Sequence, residues 1–512
     1  MAFQLTDEQT AVVDGYQAGE RLVVDALAGS GKTRTLRACA ERSPGRGGTY
    51  VAYNKAIQVE ADRSFPANTL CRTAHSLAFN AVGYTLAEKL RRPRQRARDV
   101  ARILGIKRRV ITVNALGHPA AVDVPQLARL VTDTVGRFCH SADYSISNRH
   151  VPHVTGLGRD GQAEVADVVV GYAAAAWSDL CGPSGALKLQ HDHYLKFWHL
   201  TRPVIASDVI YLDEAQDANP VISDIVQAQQ HAQLILVGDR HQQLYGWRGA
   251  QDAMTGFDGR RLALTKSFRF GDAIADEANV WLAALGSNLR VVGHDPIPST
   301  VGPLSLDDVS AVLCRTNAGT IREAVRAEDR GLKPAVVGGA LKLARLAEAA
   351  DELRREGRTW HPELAAFNSW DEVVDYAATE AAGENLATLV NLITTYGAAE
   401  ILRIIGTLAP TEDAADVVLS TGHKAKGREW TSVQIAEDFK PNPRRHPETG
   451  ELVEPEMTDE ARMLAYVAVT RAQMRLDPSG LSWARPETPT AAPSSWQSSG
   501  TAASANTLEA LS

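Results

Sequence analysis

Residues 26–33 read ALAGSGKT, directly after the apolar run LVVD (22–25) and directly before a helical run that starts KTRTL. This stretch decides the fold. Glycines between a strand and a helix let backbone N–H groups close around phosphates at the helix N-terminus. Ala28, Gly29, Ser30 and Gly31 then form the cradle. Lys32 reaches the outer phosphates, and Thr33 supplies a hydroxyl to Mg²⁺. Ala26 stands at the first position, where glycine is commoner. A plain glycine-rich turn is the other reading, and the GSGKT core in strand–loop–helix context favours nucleotide.

The next landmark outward is Asp213-Glu214, which ends the apolar run VIYL in VIYLDEAQD (209–217). A strand-end carboxylate pair facing such a loop suits a hydrolase. Asp213 holds Mg²⁺ through water, and Glu214 orients and deprotonates the attacking water. An exposed acidic turn is the alternative, and four preceding apolar residues speak against it. Lys32 and Asp213 lie 181 positions apart, more than a small nucleotide kinase needs, so chain is inserted between them. Near the start, Thr6-Asp7-Glu8-Gln9 has two readings. Thr6 and Gln9 form a helix capping box, or Gln9 reads an adenine edge. Spacing alone favours the cap.

The chain has 512 residues, 44% hydrophobic and 22% charged, the mix of a soluble globular protein of several domains. No run of eighteen apolar residues suggests a membrane span, and MAFQLTDEQT has no secretory pattern, so a cytoplasmic protein is expected. The five cysteines form no C-x-x-C pair, which argues against a zinc ribbon or a disulfide framework. A net charge of −7 excludes a wholly basic coat protein but leaves room for local basic grooves.

Apolar runs at 21–27, 49–53, 208–214, 233–239, 310–315, 416–421 and 431–438 alternate with helical segments, which predicts an α/β fold with parallel sheets. Residues 89–190 and 341–411 read mostly helical, as insertions. Lys89 to Arg109 carries ten basic residues against one acid, Asp99, and reads either as a solvated helix face or as a phosphate-contacting surface. From Asp477 to Ser512, serine, threonine, alanine and proline dominate and a disordered tail is expected. Its two tryptophans leave open a protein partner docking there.

These motifs together resemble the UvrD/Rep-like branch of superfamily 1 DNA helicases. LTDEQ (5–9) resembles the Q motif, ALAGSGKTRTL (26–36) motif I, YVAYNKA (50–56) motif Ia and TAHSLAF (73–79) motif Ib. YLDEAQD (211–217) resembles motif II, VGDRHQQLYGWRGA (237–250) motif III and LTKSFRF (264–270) motif IV. STGHKAKGREW (420–430) is similar to motif V and EARMLAYVAVTRA (460–472) to motif VI. HDHYLKFWHLTRP (191–203) looks closest to the F-box DNA helicase branch, although no F-box is expected before Gln9.

The resemblance implies two RecA-like P-loop NTPase motor domains with ATP and Mg²⁺ in the cleft between them. The first would take 1–88 and 191–262, with 89–190 inserted. The second would take 263–340 and 412–476, with the short insertion 341–411, and 477–512 would be the tail. Arg269 and Arg471 match arginine fingers, and Gln242 matches the glutamine that links phosphate state to DNA. Arg34 and Phe268 match positions that sandwich adenine. Gly427 and Glu429 match positions near the γ-phosphate and ribose.

For single-stranded DNA, Tyr245, Trp247 and Arg248 match the stacking and phosphate-side positions of motif III, while Asn54, His75 and His423 match strand-contacting positions. The chain departs from the family at Ala52-Tyr53-Asn54 in motif Ia and at Met463 in motif VI. The implied function is ATP-dependent 3′–5′ movement on single-stranded DNA, with unwinding at single-strand/duplex junctions in repair, recombination or replication. A translocase that strips proteins from DNA and a P-loop phosphotransferase are the alternatives.

Overall fold

The computed structural model describes residues 4–113, 119–154, 157–244, 252–359, 361, 364, 369–377, 383–440, 444–445, 451–453 and 456–485. Two six-stranded parallel sheets organise it. The first runs, edge to edge, Thr69–Thr73, Gly48–Ala52, Val209–Leu212, Gln233–Gly238, Leu22–Ala26 and Arg260–Leu264. The second runs Pro334–Val336, Val417–Thr421, Ala311–Cys314, Trp430–Ile435, Ala472–Asp477 and Thr300–Val301. Their central strands are buried along their length, as expected of parallel strands covered by helices on both faces.

The order of the first sheet positions the site. Val209–Leu212 lies two strands from Leu22–Ala26, with Gln233–Gly238 between them. In a parallel sheet all three strands end on the same edge, so the turns after Ala26, Leu212 and Gly238 lie together. That edge, where strand order reverses, is where α/β sheets bind ligands.

The helices Ala97–Leu104, Val124–Cys139 and Arg159–Cys181 form the bulk of the 89–190 segment. Lys89 holds this layer together. Its buried ammonium donates to the carbonyls of Asp179, Leu180 and Gly182 at 2.6, 2.9 and 2.9 Å, satisfying the C-terminus of the 23-residue helix Arg159–Cys181. The expectation of a mostly helical segment missed a hairpin, Val110–Val113 paired antiparallel with Pro119–Val122. Helices Leu341–Glu356, Trp370–Ala377, Gly383–Tyr396 and Ala398–Thr407 occupy the second inserted region.

The expected tail boundary is corrected. Asp477 ends a strand, Ser479–Ala484 forms a 3₁₀ helix with Leu481 buried, and Arg485 Nη2 pairs with Glu277 Oε2 at 2.8 Å. Ordered packing therefore runs to Arg485, and 486–512 lies outside the described residues.

The two sheet layers share one core. Leu27, Ala28 and Leu244 from the first sit in a single buried cluster with Phe270, Trp281, Tyr466 and Val469 from the second. All five cysteines are free thiols, four of them buried. Among the described residues no helix is long and apolar enough to cross a membrane.

Candidate active site

The P-loop bends where its glycines stand. Gly29 and Gly31 take φ +73° and +79°, a region glycine enters without Cβ strain. A Cβ on Gly29 would meet Ser267 Oγ at 2.4 Å and Arg269 Cβ at 2.8 Å, so the loop lies hard against the motif-IV segment. Helix Lys32–Glu41 starts at Gly31, and its N-terminus is the electropositive end.

Lys32 Nζ pairs with Glu214 Oε1 at 2.8 Å. Burial weighs against the Lys32 charge, yet Glu214, Asp213 and Asp239 hold its pKa above the usual lysine value. Glu214 is half-buried, and although its desolvation opposes the charge, Lys32 and Lys426 pull its pKa well below the carboxylate range, so it is ionised. Gln216 Nε2 donates to Glu214 Oε2 at 2.5 Å. Asp213 accepts from Tyr50 OH and stands 3.4 Å from Thr33 Oγ1. Burial and the neighbouring Glu214 charge push the Asp213 pKa up. Glu214 itself sits in left-handed backbone at φ 51°, ψ 42°.

From the other sheet come the cations. Arg269 Nε donates to Glu429 Oε2 at 2.6 Å and its Nη1 to Thr470 O at 3.0 Å. Arg471 is buried. Its Nε donates to Val467 O at 2.9 Å, and its Nη2 donates to Gln242 Oε1 at 3.3 Å. Burial and the like charge of Arg269 lower its pKa, to about 9. Among the described residues no carboxylate stands within ion-pair distance of it. Gln242 Nε2 in turn donates to Asp239 Oδ2 at 2.7 Å. Lys426 reaches across to Asp217, to the carbonyl of Gln242 at 2.7 Å and to Glu214 Oε2 at 3.8 Å.

These groups line one cleft of about 840 Å³. It collects Gly29 to Arg34, Asp213, Glu214, Gln242, Phe268, Arg269, Gly427, Glu429 and Arg471. Sequence reasoning missed Lys426 and the Pro296–Ile297–Pro298 shelf, which line it too. It also missed Tyr466, whose buried hydroxyl accepts from Ala28 N at 3.1 Å and donates to Asp239 Oδ2 at 3.0 Å.

Two residues expected at the nucleotide, Ala28 of the cradle and Gln9 as a reader of the adenine edge, stand apart from the cleft lining. The Ala28 amide is taken by Tyr466, which turns that N–H from the phosphate role. Gln9 is buried behind Gly31, its Oε1 accepting from Thr6 N at 3.2 Å and its Nε2 donating to Ser30 O at 3.4 Å. The capping box is therefore present, and the Gln9 amide ties the first helix to the P-loop.

Asn54 lines the cleft, while its Oδ1 caps helix Lys55–Ser64 through Ile57 N at 3.0 Å. His75 lines an adjoining cavity of about 610 Å³ that shares Asp213 and Glu214 with the cleft. Its Nε2 lies 3.0 Å from Asp192 Oδ1, and His140 lies 3.3 Å from the other carboxylate oxygen. His423 is half-buried on the short helix Gly422–Ala425. Tyr245, Trp247 and Arg248 lie outside the described residues.

The residues present fit a nucleoside triphosphate with a divalent ion. Arg471 is a buried cation with no carboxylate at ion-pair distance among the described residues, and it lines the same cleft as Lys32 and Arg269. Thr33 and Asp213 supply the oxygen donors that a hard cation takes.

Two parallel α/β layers closing on one P-loop cleft define the class, a tandem RecA-like nucleotide-binding protein. Residues 201–255 match the UvrD/REP helicase N-terminal domain and residues 341–481 the UvrD-like helicase C-terminal domain. It is 30% identical over 511 residues to F-box DNA helicase protein 1 of Schizosaccharomyces pombe, covering 92% of this chain and 57% of that protein. It is 29% identical over 508 residues to F-box DNA helicase 1 of Gallus gallus, covering 92% and 48%. The chain thus spans about half the length of the curated relatives it matches.

Proposed function

We propose that the protein is an ATP-dependent DNA helicase that moves 3′ to 5′ along single-stranded DNA. The observation that carries this reading is the single cleft, in which Lys32, Thr33, Asp213 and Glu214 of one layer face Arg269 and Arg471 of the other. Hydrolysis that needs both layers is hydrolysis that can move them. Glu214 takes the proton of the attacking water, and Lys32 keeps its carboxylate ionised until phosphate competes for that ammonium. Arg269 and Arg471 place their planar forks on the oxygens that gain charge in the transition state. Thr33 and Asp213 would hold Mg²⁺, which neutralises phosphate charge when bound. The direction rests on the family likeness.

Gln242 is the coupling element. One end of its amide faces Arg471, the other Asp239, and its backbone carbonyl accepts from Lys426. Any change in Arg471 on phosphate loss therefore reaches the segment that leads to Trp247 and Arg248, the proposed strand contacts. Asn54, His75 and His423 complete that proposed path.

ATPase rates with and without single-stranded DNA test the reading, followed by displacement of a labelled strand from forks with a 3′ or a 5′ tail. Stimulation by the single strand with displacement only from the 3′ tail is expected. Stimulation without displacement turns the reading to a translocase that strips proteins. Turnover indifferent to DNA would overturn it.

A further inference from the structure

Two imidazoles close on one carboxylate beside the nucleotide cleft. Asp192, in the first turn of helix His191–Leu200, lies 3.0 Å from His75 Nε2 through Oδ1 and 3.3 Å from His140 Nε2 through Oδ2. His75 stands in the first turn of helix Ala74–Ala81, and His140 follows the last residue of helix Val124–Cys139. All three line the cavity of about 610 Å³ that shares Asp213 and Glu214 with the cleft. The chemistry of hydrolysis leaves Asp192 and His140 without a task.

Burial opposes the Asp192 charge, yet the hydrogen bonds from His140 and His75 hold its pKa well below the carboxylate range, so it is ionised. An ionised carboxylate can only accept, and both Nε2 atoms therefore carry hydrogen. That fixes the tautomer of His75. In the neutral ring the other nitrogen, Nδ1, keeps a bare lone pair, and it gains hydrogen only when the ring becomes a cation. Among the described residues no hydrogen bond ties that nitrogen to the protein. The groups facing the ring are mostly acids. Helix His191–Leu200 contributes Asp192 and Tyr194, whose ring meets His75 edge-on at 6.2 Å, and the cavity wall adds Asp213, Glu214, Asp217 and Tyr53 beside His140. Arg72, on the strand before the helix, is paired with Asp62 at 3.7 Å, and Tyr84 in the turn after it is exposed. The N-terminus of the helix that carries His75 is the opposing positive charge.

We infer that Asp192 is a positioning residue that makes the grip of His75 on the single strand conditional on a proton, so that binding a strand draws a proton from solution. The inference rests on the reading of His75 as a strand contact. A neutral ring held by Asp192 would set the Nδ1 lone pair against a phosphate oxygen, and two acceptors repel. The imidazolium instead donates from both nitrogens, one to Asp192 and one to the phosphate. Two anions then flank one cation.

The full chain is titrated with an oligothymidylate at about pH 7.5 in two buffers of different ionisation enthalpy, and the difference in binding heat gives the protons taken up. Uptake approaching one proton is expected, with affinity falling by up to roughly tenfold for each pH unit on the alkaline side. Asp192→Asn allows the side-chain amide to donate to Nε2, so Nδ1 can hold hydrogen in a neutral ring. That variant should still bind the strand at alkaline pH, with the uptake and the pH slope gone. His75→Gln donates through its amide without a proton and should show the same flat profile, which keeps the test open if Asp192→Asn does not fold. Tight strand binding by wild type without uptake would overturn the inference. So would an uptake that survives His75→Gln, which moves the proton to His140 or His423. Failure of the underlying reading looks different, since His75→Gln would then bind the strand as wild type does at every pH.

Discussion

Glu214 holds the backbone of a glycine with the side chain of an acid. It is one of two non-glycine residues with positive φ among the described residues, a conformation that costs on the order of 1–3 kcal/mol. The packing that enforces it also pins the carboxylate beside Lys32. Glu214→Gln keeps the shape and removes the base, so turnover should fall at least about a hundredfold while nucleotide affinity stays near wild type. Single-turnover hydrolysis beside nucleotide titration checks this, and normal turnover would remove Glu214 from the role of base. Tyr466→Phe is the companion test. It strips one hydroxyl and leaves the Ala28 amide and an Asp239 oxygen short of a partner, at a cost of about 1–3 kcal/mol that thermal melting would report. The glycine loop and the Asp-Glu pair were legible because their chemistry is local in sequence. Tyr466 was not, since nothing in YVAVTRA says that its ring crosses to a loop 438 positions earlier.

At the scale of elements, the inner strands of the first sheet were readable and its rim was not, while in the second sheet the inner strand Ala472–Asp477 escaped as well. The predicted runs at 21–27, 49–53, 208–214 and 233–239 are the four inner strands of the first sheet. The edge strands Thr69–Thr73 and Arg260–Leu264 escaped, because a strand covered on one side keeps polar residues and loses the continuous apolar signal. Helix His191–Leu200 carries a different consequence. Gln190 N donates to His193 Nδ1 at 3.1 Å, which requires that nitrogen unprotonated. Burial lowers the His193 pKa from 6.5 to about 4, and burial lowers those of His150 and His199 as well. The unfolded chain binds these protons at a higher pH than the folded one. The stability tied to the neutral rings is therefore full above pH 6.5 and is lost as pH falls toward 4. Melting temperature should drop through that window. His193→Gln, which can still cap the helix, should flatten the drop. An identical pH profile in the variant would show that His193 is not a source of it.

Among the described residues, packing runs on to Arg485 rather than stopping at Asp477. A chain cut after Arg485 should melt and hydrolyse ATP like the full one. A chain cut after Gly480 loses buried Leu481 and the Arg485–Glu277 pair, and should be destabilised by at least about 2 kcal/mol. Equal melting of the two truncations would return the boundary to where the composition shift put it. The order of the first sheet has one more consequence, which concerns birth rather than work. Val209–Leu212 and Gln233–Gly238 stand between the strands Gly48–Ala52 and Leu22–Ala26. Leu22–Ala26 therefore leaves the ribosome with both of its neighbours unmade, and Gly48–Ala52 with only the edge strand Thr69–Thr73 to follow it closely. At about 5–20 residues per second, synthesis of the intervening chain takes roughly 10–40 seconds. Through that interval LVVDA has neither of its neighbours and GTYVA has only Thr69–Thr73, so apolar strand edges stay open to the wrong partner until residue 238 has emerged.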